Sequence, residues 1–377
     1  MGSWSVFPSK AQRATLEIMG RLYLLVMVLV AGCGRLGFDG MDPGPGSGSG
    51  TANLVPAVCG AQSYTSIAAA LDSDVSVAPT PTGAAVFVVP TSGGNLRGFT
   101  VDVDGNLTSG AAIKTVRTGG PFTASAATYV DNTLIAAVTS SGRFLIHIIP
   151  PDLSTYTEIG NIGDEHIGKN PLLHANADRI TPTSCSSGMD VNPFDNAWTP
   201  QTLQLSVTTP QTTFVAATPL GSEALVAWST ADQCYVERLT NLATGFGSSQ
   251  PWSCSALRLA NDMTTTMSKI VFEATDGVRL GNIASDQLDG STTLVAAGAT
   301  SPRIAFDGTQ YWISYLDASG TITAGTLQSD GTVMTTQVSG TSPQHDAYEL
   351  AIVGGAPWIY SVDTTGTAAS KLCLVPN

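Results

Sequence analysis

The sequence predicts an all-β chain. It reads as a β-propeller of seven four-stranded blades closed by its own N-terminal segment, with six blades plus an irregular insertion as the alternative. Three observations carry this. Short apolar runs alternate with Asp-Gly and Ser-Gly turns, one unit recurs at intervals of 42 to 48 residues, and the last unit is a strand short while an unassigned segment stands near the N-terminus.

The unit is plainest in Pro302–Val338. Arg303–Phe306 meets the turn Asp307-Gly308, Tyr311–Leu316 meets Asp317–Gly320, Thr321–Leu327 meets Asp330-Gly331, and a fourth run starts at Thr332. Asp-Gly and Ser-Gly steps tolerate the positive φ of tight hairpins, so the pattern is an antiparallel meander of about 40 residues, the size of one propeller blade. Marking the first strongly apolar residue of each second strand gives Val86, Leu134, Ile180, Leu225, Ile270, Trp312 and Trp358. A glycine follows eight residues later at Gly94, Gly142, Gly188, Gly320 and Gly366, and seven later at Gly277. Such a sheet cannot cover both its faces, and stacking sheets around an axis buries both. The runs AVFVV, LIAAV, ALVAW, KIVF, YWISY and PWIY then lie between neighbouring blades. The copy at Ile180 is the poorest, interrupted by Pro182, Pro193 and Pro200, because proline is disfavoured inside a sheet. The whole is similar to bacterial seven-bladed propellers in overall pattern, without the Trp-Asp or kelch signatures.

The last copy has three strands: Tyr348–Val353, Pro357–Val362 and Thr367–Val375. Ala52–Leu71 belongs to no other copy, so it is expected to supply the missing outer strand, with a short helix at Ser66–Leu71 compatible with that. The cysteines suit this arrangement. Cys59 and Cys373 would fall at adjacent strand ends, as would Cys234 and Cys254, giving two expected disulfides. Sequence alone permits about fifteen two-bond pairings of five cysteines. Cys185 is left over and is expected to be a buried thiol.

The N-terminal region has another character. Leu22–Val30 is an unbroken apolar run preceded by Lys10, Arg13 and Arg21. It is too short to span a bilayer comfortably and fits a signal h-region. Val30-Ala31-Gly32-Cys33 follows, and it resembles the lipobox of bacterial lipoproteins. The resemblance implies cleavage before Cys33 and acylation of its thiol and new amino group, which would anchor the chain stably. Gly34, where an inner-membrane retention signal would be Asp, implies the outer membrane. Gly40–Thr51 (GMDPGPGSGSGT) cannot bury enough apolar surface to fold and reads as a flexible spacer. The expected organisation is leader 1–32, lipidated tether 33–51 and propeller 52–377, located in the cell envelope.

Composition narrows the function classes. The chain has 12% charged residues and a net charge of −13. Residues 1–32 hold three basic residues and one acidic residue, so the rest carries 13 basic and 28 acidic residues, a net charge of −15. That field repels phosphate backbones, so no nucleic-acid partner is expected.

No catalytic motif stands out. The histidines His147, His166, His174 and His345 show no zinc-ligand spacing, and there is no H-E-x-x-H, C-x-x-C, G-x-S-x-G or phosphate-binding glycine loop. Neither a metal nor a cofactor is expected. Asp102-Val103-Asp104-Gly105-Asn106 lacks the later ligands of an EF-hand and reads as turn chemistry. Asp317–Thr321 and Asp363–Thr367 resemble the Asp-box of sialidases loosely, with the spacing to Gly one residue too long and no aromatic. The most polar stretches, Asp164–Asp178 and Asp190–Trp198, fall in the least regular copy. Irregular loops on a rigid frame often bind ligands, which makes His166, His174, Asp190, Asp195 and Trp198 the candidate ligand-binding residues. Arg258, Arg303 and His345-Asp346 are candidates for the axis. The expected function is a monomeric lipoprotein whose loops bind a protein or glycan. The alternative is an extracytoplasmic glycan hydrolase with carboxylates converging at the axis.

Overall fold

In the second strand of each well-formed copy the apolar residues run without a break, and the computed structural model shows why: such a strand has no solvent face. It describes residues 54–377 apart from the stretches 65–72, 91–94, 109–113, 119–121, 123, 131, 141–142, 163–179, 186–187, 194–204, 209–213, 221–222, 240–249, 263–267, 285–286, 339–346 and 364–365. Met1–Ala52, with the leader, the spacer and Cys33, lies outside the described residues.

Six antiparallel sheets have a full set of strands. The first blade is Ser73–Thr80, Gly83–Pro90, Leu96–Asp102 and Lys114–Arg117; the second is Ala124–Val130, Thr133–Ser140, Arg143–Ile149 and Thr157–Ile162. The third is Phe214–Leu220, Glu223–Ser229, Gln233–Leu239 and Trp252–Ser253. In the fourth, Ala256–Asn261, Ser268–Ala274 and Gly277–Ala284 are followed by two short strands, Gln287–Leu288 and Thr293–Ala297, that share the outer edge of Gly277–Ala284. The fifth is Thr300–Phe306, Tyr311–Leu316, Ile322–Leu327 and Val333–Gln337. The sixth is Tyr348–Val353, Ala356–Asp363 and Gly366–Pro376, with Leu54–Tyr64 paired to the outer edge of Gly366–Pro376.

The cores lie between blades. Val86 and Val88 pack with Trp358, Tyr360 and Val362 of the sixth blade, whereas Ala85, Phe87 and Val89 pack with Leu134, Ala136 and Val138 of the second. Consecutive residues of a strand point to opposite faces, so one strand serves two cores. The same division recurs at the third blade, where Leu225 and Ala227 face the fourth blade while Val226 and Trp228 face Met189 and Val191. Val271 meets Ile313, and Trp312 meets Ile359, at the next two interfaces. Full burial of a side chain of this size contributes about 1.5–3 kcal/mol.

Asp-led turns join the strands. In the fifth blade the Asp317 carboxylate accepts from the backbone amides of Ser319 and Thr321, and Gly320 adopts φ 78° between them. The Asp102 carboxylate likewise accepts from the amides of Asp104 and Asn106. Both stretches therefore close their own hairpins. In the fourth blade, Gly277 starts the third strand at φ 131°, where an added Cβ would lie 2.1 Å from the Ala296 carbonyl.

Two sequence expectations are corrected. The propeller is six-bladed and mostly four-stranded, not seven-bladed; beside the six, Ile180–Cys185, Gly188–Pro193 and Leu205–Thr208 form a three-stranded sheet with no fourth strand among the described residues. Ile180 begins the first strand of that sheet, not the second. The reason is local. In Gly188–Pro193 the apolar residues are Met189 and Val191, both buried, spaced by Asp190, so the sequence shows no continuous apolar run like those of the other copies. Pro182 and Pro193, which have no amide to donate, occupy its ladder.

Candidate functional site at the axis

The first strands of the six blades face the axis, and their side chains enclose a cavity of ≈ 350 Å³. That is within the size range of small-ligand sites, about 300–1,000 Å³. Most of its wall is small or aliphatic: Val77, Ala126, Val215, Leu259, Ile304 and Leu350. The polar residues come from the first halves of the strands and therefore gather toward one end.

There they run from blade to blade. The Ser76 hydroxyl donates to Ser125 Oγ at 3.0 Å, and the Ser125 amide donates to Asp74 Oδ2 at 3.2 Å, joining the first and second blades. Arg258 donates from Nη1 to the Leu257 carbonyl at 2.8 Å and lies 5.7 Å from the centre of the Phe214 ring, joining the fourth and third. Glu273 accepts from Ser255 Oγ at 3.2 Å and from the Ser301 amide at 3.1 Å, joining the fourth and fifth.

A charged junction joins the fifth and sixth blades. Arg303 is 2% exposed. Its Nε is 3.3 Å from Glu349 Oε2, Nη1 donates to the carbonyl of Pro302, Nη2 donates to the carbonyl of Tyr348, and the guanidinium lies 4.9 Å from the centre of the Tyr348 ring. A planar guanidinium can satisfy a carboxylate, carbonyls and a ring face together, which an ammonium cannot. The Tyr348 hydroxyl donates in turn to the Ser301 carbonyl. Burial pushes the Tyr348 phenol up to about 12, so it remains a donor at neutral pH. Glu349 is the carboxylate among the described lining residues, and Phe306 is the aromatic.

A second hollow of ≈ 380 Å³ opens between the third and fourth blades, with Asp232, Ser255 and Glu273 in its wall. Beside it, Cys234 is joined to Cys254 by a disulfide, Cα to Cα 5.5 Å, which pins the two-residue strand Trp252–Ser253. Among the described residues no group of three or more His, Cys, Asp or Glu side chains gathers in metal-binding proximity.

The candidates taken from the irregular copy are not brought to this site by any described contact. His166, His174, Asp195 and Trp198 lie outside the described residues, as do His345 and Asp346. Asp190 sits in the middle strand of the three-stranded sheet, opposite Thr183 and Ser206. Of the axis candidates, Arg258 and Arg303 are there; Ser76, Ser125, Tyr348 and Glu349 were not singled out from the sequence. Their signal is the alternation of a first strand, in which Ser76 is flanked by Val75 and Val77, and it needs the strand order before it can be read.

No protein-family model matches the chain, and no curated protein matches it. Among solved structures it is similar to selenomethionine-substituted virginiamycin B lyase from Staphylococcus aureus, at 12% identity and a TM-score of 0.57, over 84% of this chain and 99% of that one. At that identity the likeness concerns the propeller fold alone, and a fold does not carry an activity with it.

Proposed function

We propose that the chain is a lipid-anchored protein of the cell envelope whose propeller binds a protein or glycan partner without converting it. The carrying observation is the axial cavity, whose polar end offers the Ser76 and Ser125 hydroxyls, Arg258 and Glu349, the last held by the buried Arg303, above aliphatic walls. Such a lining can orient a ligand by hydrogen bonds and hold it by apolar contact. Glycoside hydrolysis ordinarily needs two carboxylates about 5–10 Å apart. Glu349 is the lone carboxylate among the described lining residues and is engaged by Arg303, so the geometry favours binding over hydrolysis.

The address rests on Val30-Ala31-Gly32-Cys33 after the apolar run and on the spacer that follows it. Acylated at Cys33, a monomer would hold its propeller a short distance from the outer membrane. Cys33→Ser is expected to leave the protein out of the membrane fraction or keep its leader uncleaved; a processed, membrane-bound Cys33→Ser protein would exclude lipidation. For binding, glycan arrays and cross-linking on intact cells would identify the ligand, and Arg258→Ala is expected to weaken it at least about tenfold, the loss of one charge-assisted contact. Unchanged affinity in a folded Arg258→Ala protein would exclude the axial end as the site.

A further inference from the structure

Leu54–Tyr64 and Gly366–Pro376, from opposite ends of the chain, pair over almost their whole length. The ladder places Ala57 opposite Cys373 and Val58 opposite Leu372, then slips, so that Gly60 faces Lys371 and Cys59 is the extra residue of a bulge. A bulge leaves one residue unpaired and turns its side chain. Ala57 stands directly opposite Cys373 and the ladder resumes at Gly60 opposite Lys371, so the bulged Cys59 sits within two residues of Cys373's partner along the ladder. The Cys59 thiol reaches the Lys371 carbonyl at 3.6 Å, and it lies close enough to the Cys373 thiol to help raise its pKa. Cys59 is exposed and Cys373 half-buried, and in the structure both are thiols. The same domain contains a formed disulfide, Cys234–Cys254.

We propose that Cys59 and Cys373 are a disulfide-forming pair that covalently ties the N-terminal strand to the C-terminal strand. The exposed Cys59 thiolate attacks a disulfide-bearing oxidant, its new S–S bond displacing one thiolate of that oxidant. Cys373, giving its proton to solvent, then attacks the Cys59 sulfur of the mixed disulfide and releases the second thiolate. The two cysteines together lose two electrons and two protons; the oxidant gains both as a dithiol. Burial and the Cys59 contact push the Cys373 thiol up to about 11, with Lys371 acting against them, so the second attack must first overcome the cost of that deprotonation. The bond would lock the strand nearest the tether at a point beyond its first turn of ladder, where peeling from Leu54 would be arrested.

The test uses the full-length chain, purified in mild detergent under reducing conditions, then equilibrated with mixtures of reduced and oxidised glutathione, quenched by alkylation and mapped as peptides. A Cys59–Cys373 linked peptide is expected, alongside Cys234–Cys254. Closing a loop this long should raise the melting midpoint by about 5–10 °C over that of the protein lacking only this bond, and Cys373→Ser should abolish the difference. Cys59 and Cys373 left alkylated, carrying glutathione, or linked to Cys185 would overturn the proposal, whatever the state of Cys234. The mapping is done on the native sequence, so a poorly folding variant does not blur the result.

Discussion

The fifth blade and the three-stranded sheet differ sharply in regularity. In the fifth blade every residue of Trp312–Leu316 is buried, and one face of that strand fills the core toward the fourth blade while the other fills the core toward the sixth. Its turns are tied by Asp307, Asp317 and Asp330, each accepting backbone hydrogen bonds from residues two to four positions further on. In Gly188–Pro193 two buried side chains, Met189 and Val191, join the core shared with the third blade, and Pro182 and Pro193 both stand in its pairing with Ile180–Cys185. A complete blade therefore needs a middle strand apolar on both faces and turns that satisfy their own backbone amides. Where one is missing, the ladder stops early.

The largest expected effect sharpens that contrast. Trp312→Ala should cost about 3–5 kcal/mol, read as a lowered urea midpoint, because Trp312 is 2% exposed and its indole also donates to Asp307 at 2.7 Å. A loss smaller than that of Met189→Ala would break the claim that the fifth blade is the better packed. Glu349→Gln removes the carboxylate from buried Arg303. The expected loss is about 1–3 kcal/mol, below the range for a fully buried pair because Glu349 is 24% exposed and partly screened by solvent. A double-mutant cycle with Arg303→Met measures it.

Asp307→Ala should cost about 1–2 kcal/mol at neutral pH. Its carboxyl sits below the usual carboxylate range: burial opposes the charge, but hydrogen bonds from Thr309, Trp312 and Gln310 outweigh it. A depressed folded-state value means that the contribution is fully present above the unfolded value, about pH 4. It is lost as pH falls through the folded value, so wild type and Asp307→Ala should converge between pH 5 and acid. A gap that widened in acid would contradict the assignment. The smallest effect is expected at Pro182→Ala, within about 0.5 kcal/mol, since the sheet it interrupts has three strands among the described residues; a large gain in stability would mean that proline alone limits that sheet.

These comparisons also mark what was legible. Tyr311–Leu316 and Gly83–Pro90 could be placed from the sequence because strands buried on both faces read as continuous apolar runs, and Asp317 and Gly320 announced their turn. Ile180 was assigned to the wrong strand because Ile-Thr-Pro-Thr-Ser carries one apolar residue where the other copies carry three or more. The axial end was half legible. Arg303 and Arg258 are conspicuous charges in apolar company, but the partners Glu349 and Phe214 lie on other blades, and sequence distance gives no hint of which strands converge. Ser76 and Ser125 are ordinary hydroxyls in a serine-rich chain until the wheel brings them to 3.0 Å.

The double duty of each second strand has a bearing on how the molecule comes apart. Ala85 and Phe87 serve one core while Val86 and Val88 serve the next, so the partition walls are party walls, owned jointly by the rooms on either side. In an open repeat array a terminal unit can melt by itself because it shares one boundary. Here, melting a single blade strips the lining from two rooms at once, and loss of order should spread around the wheel in one concerted transition.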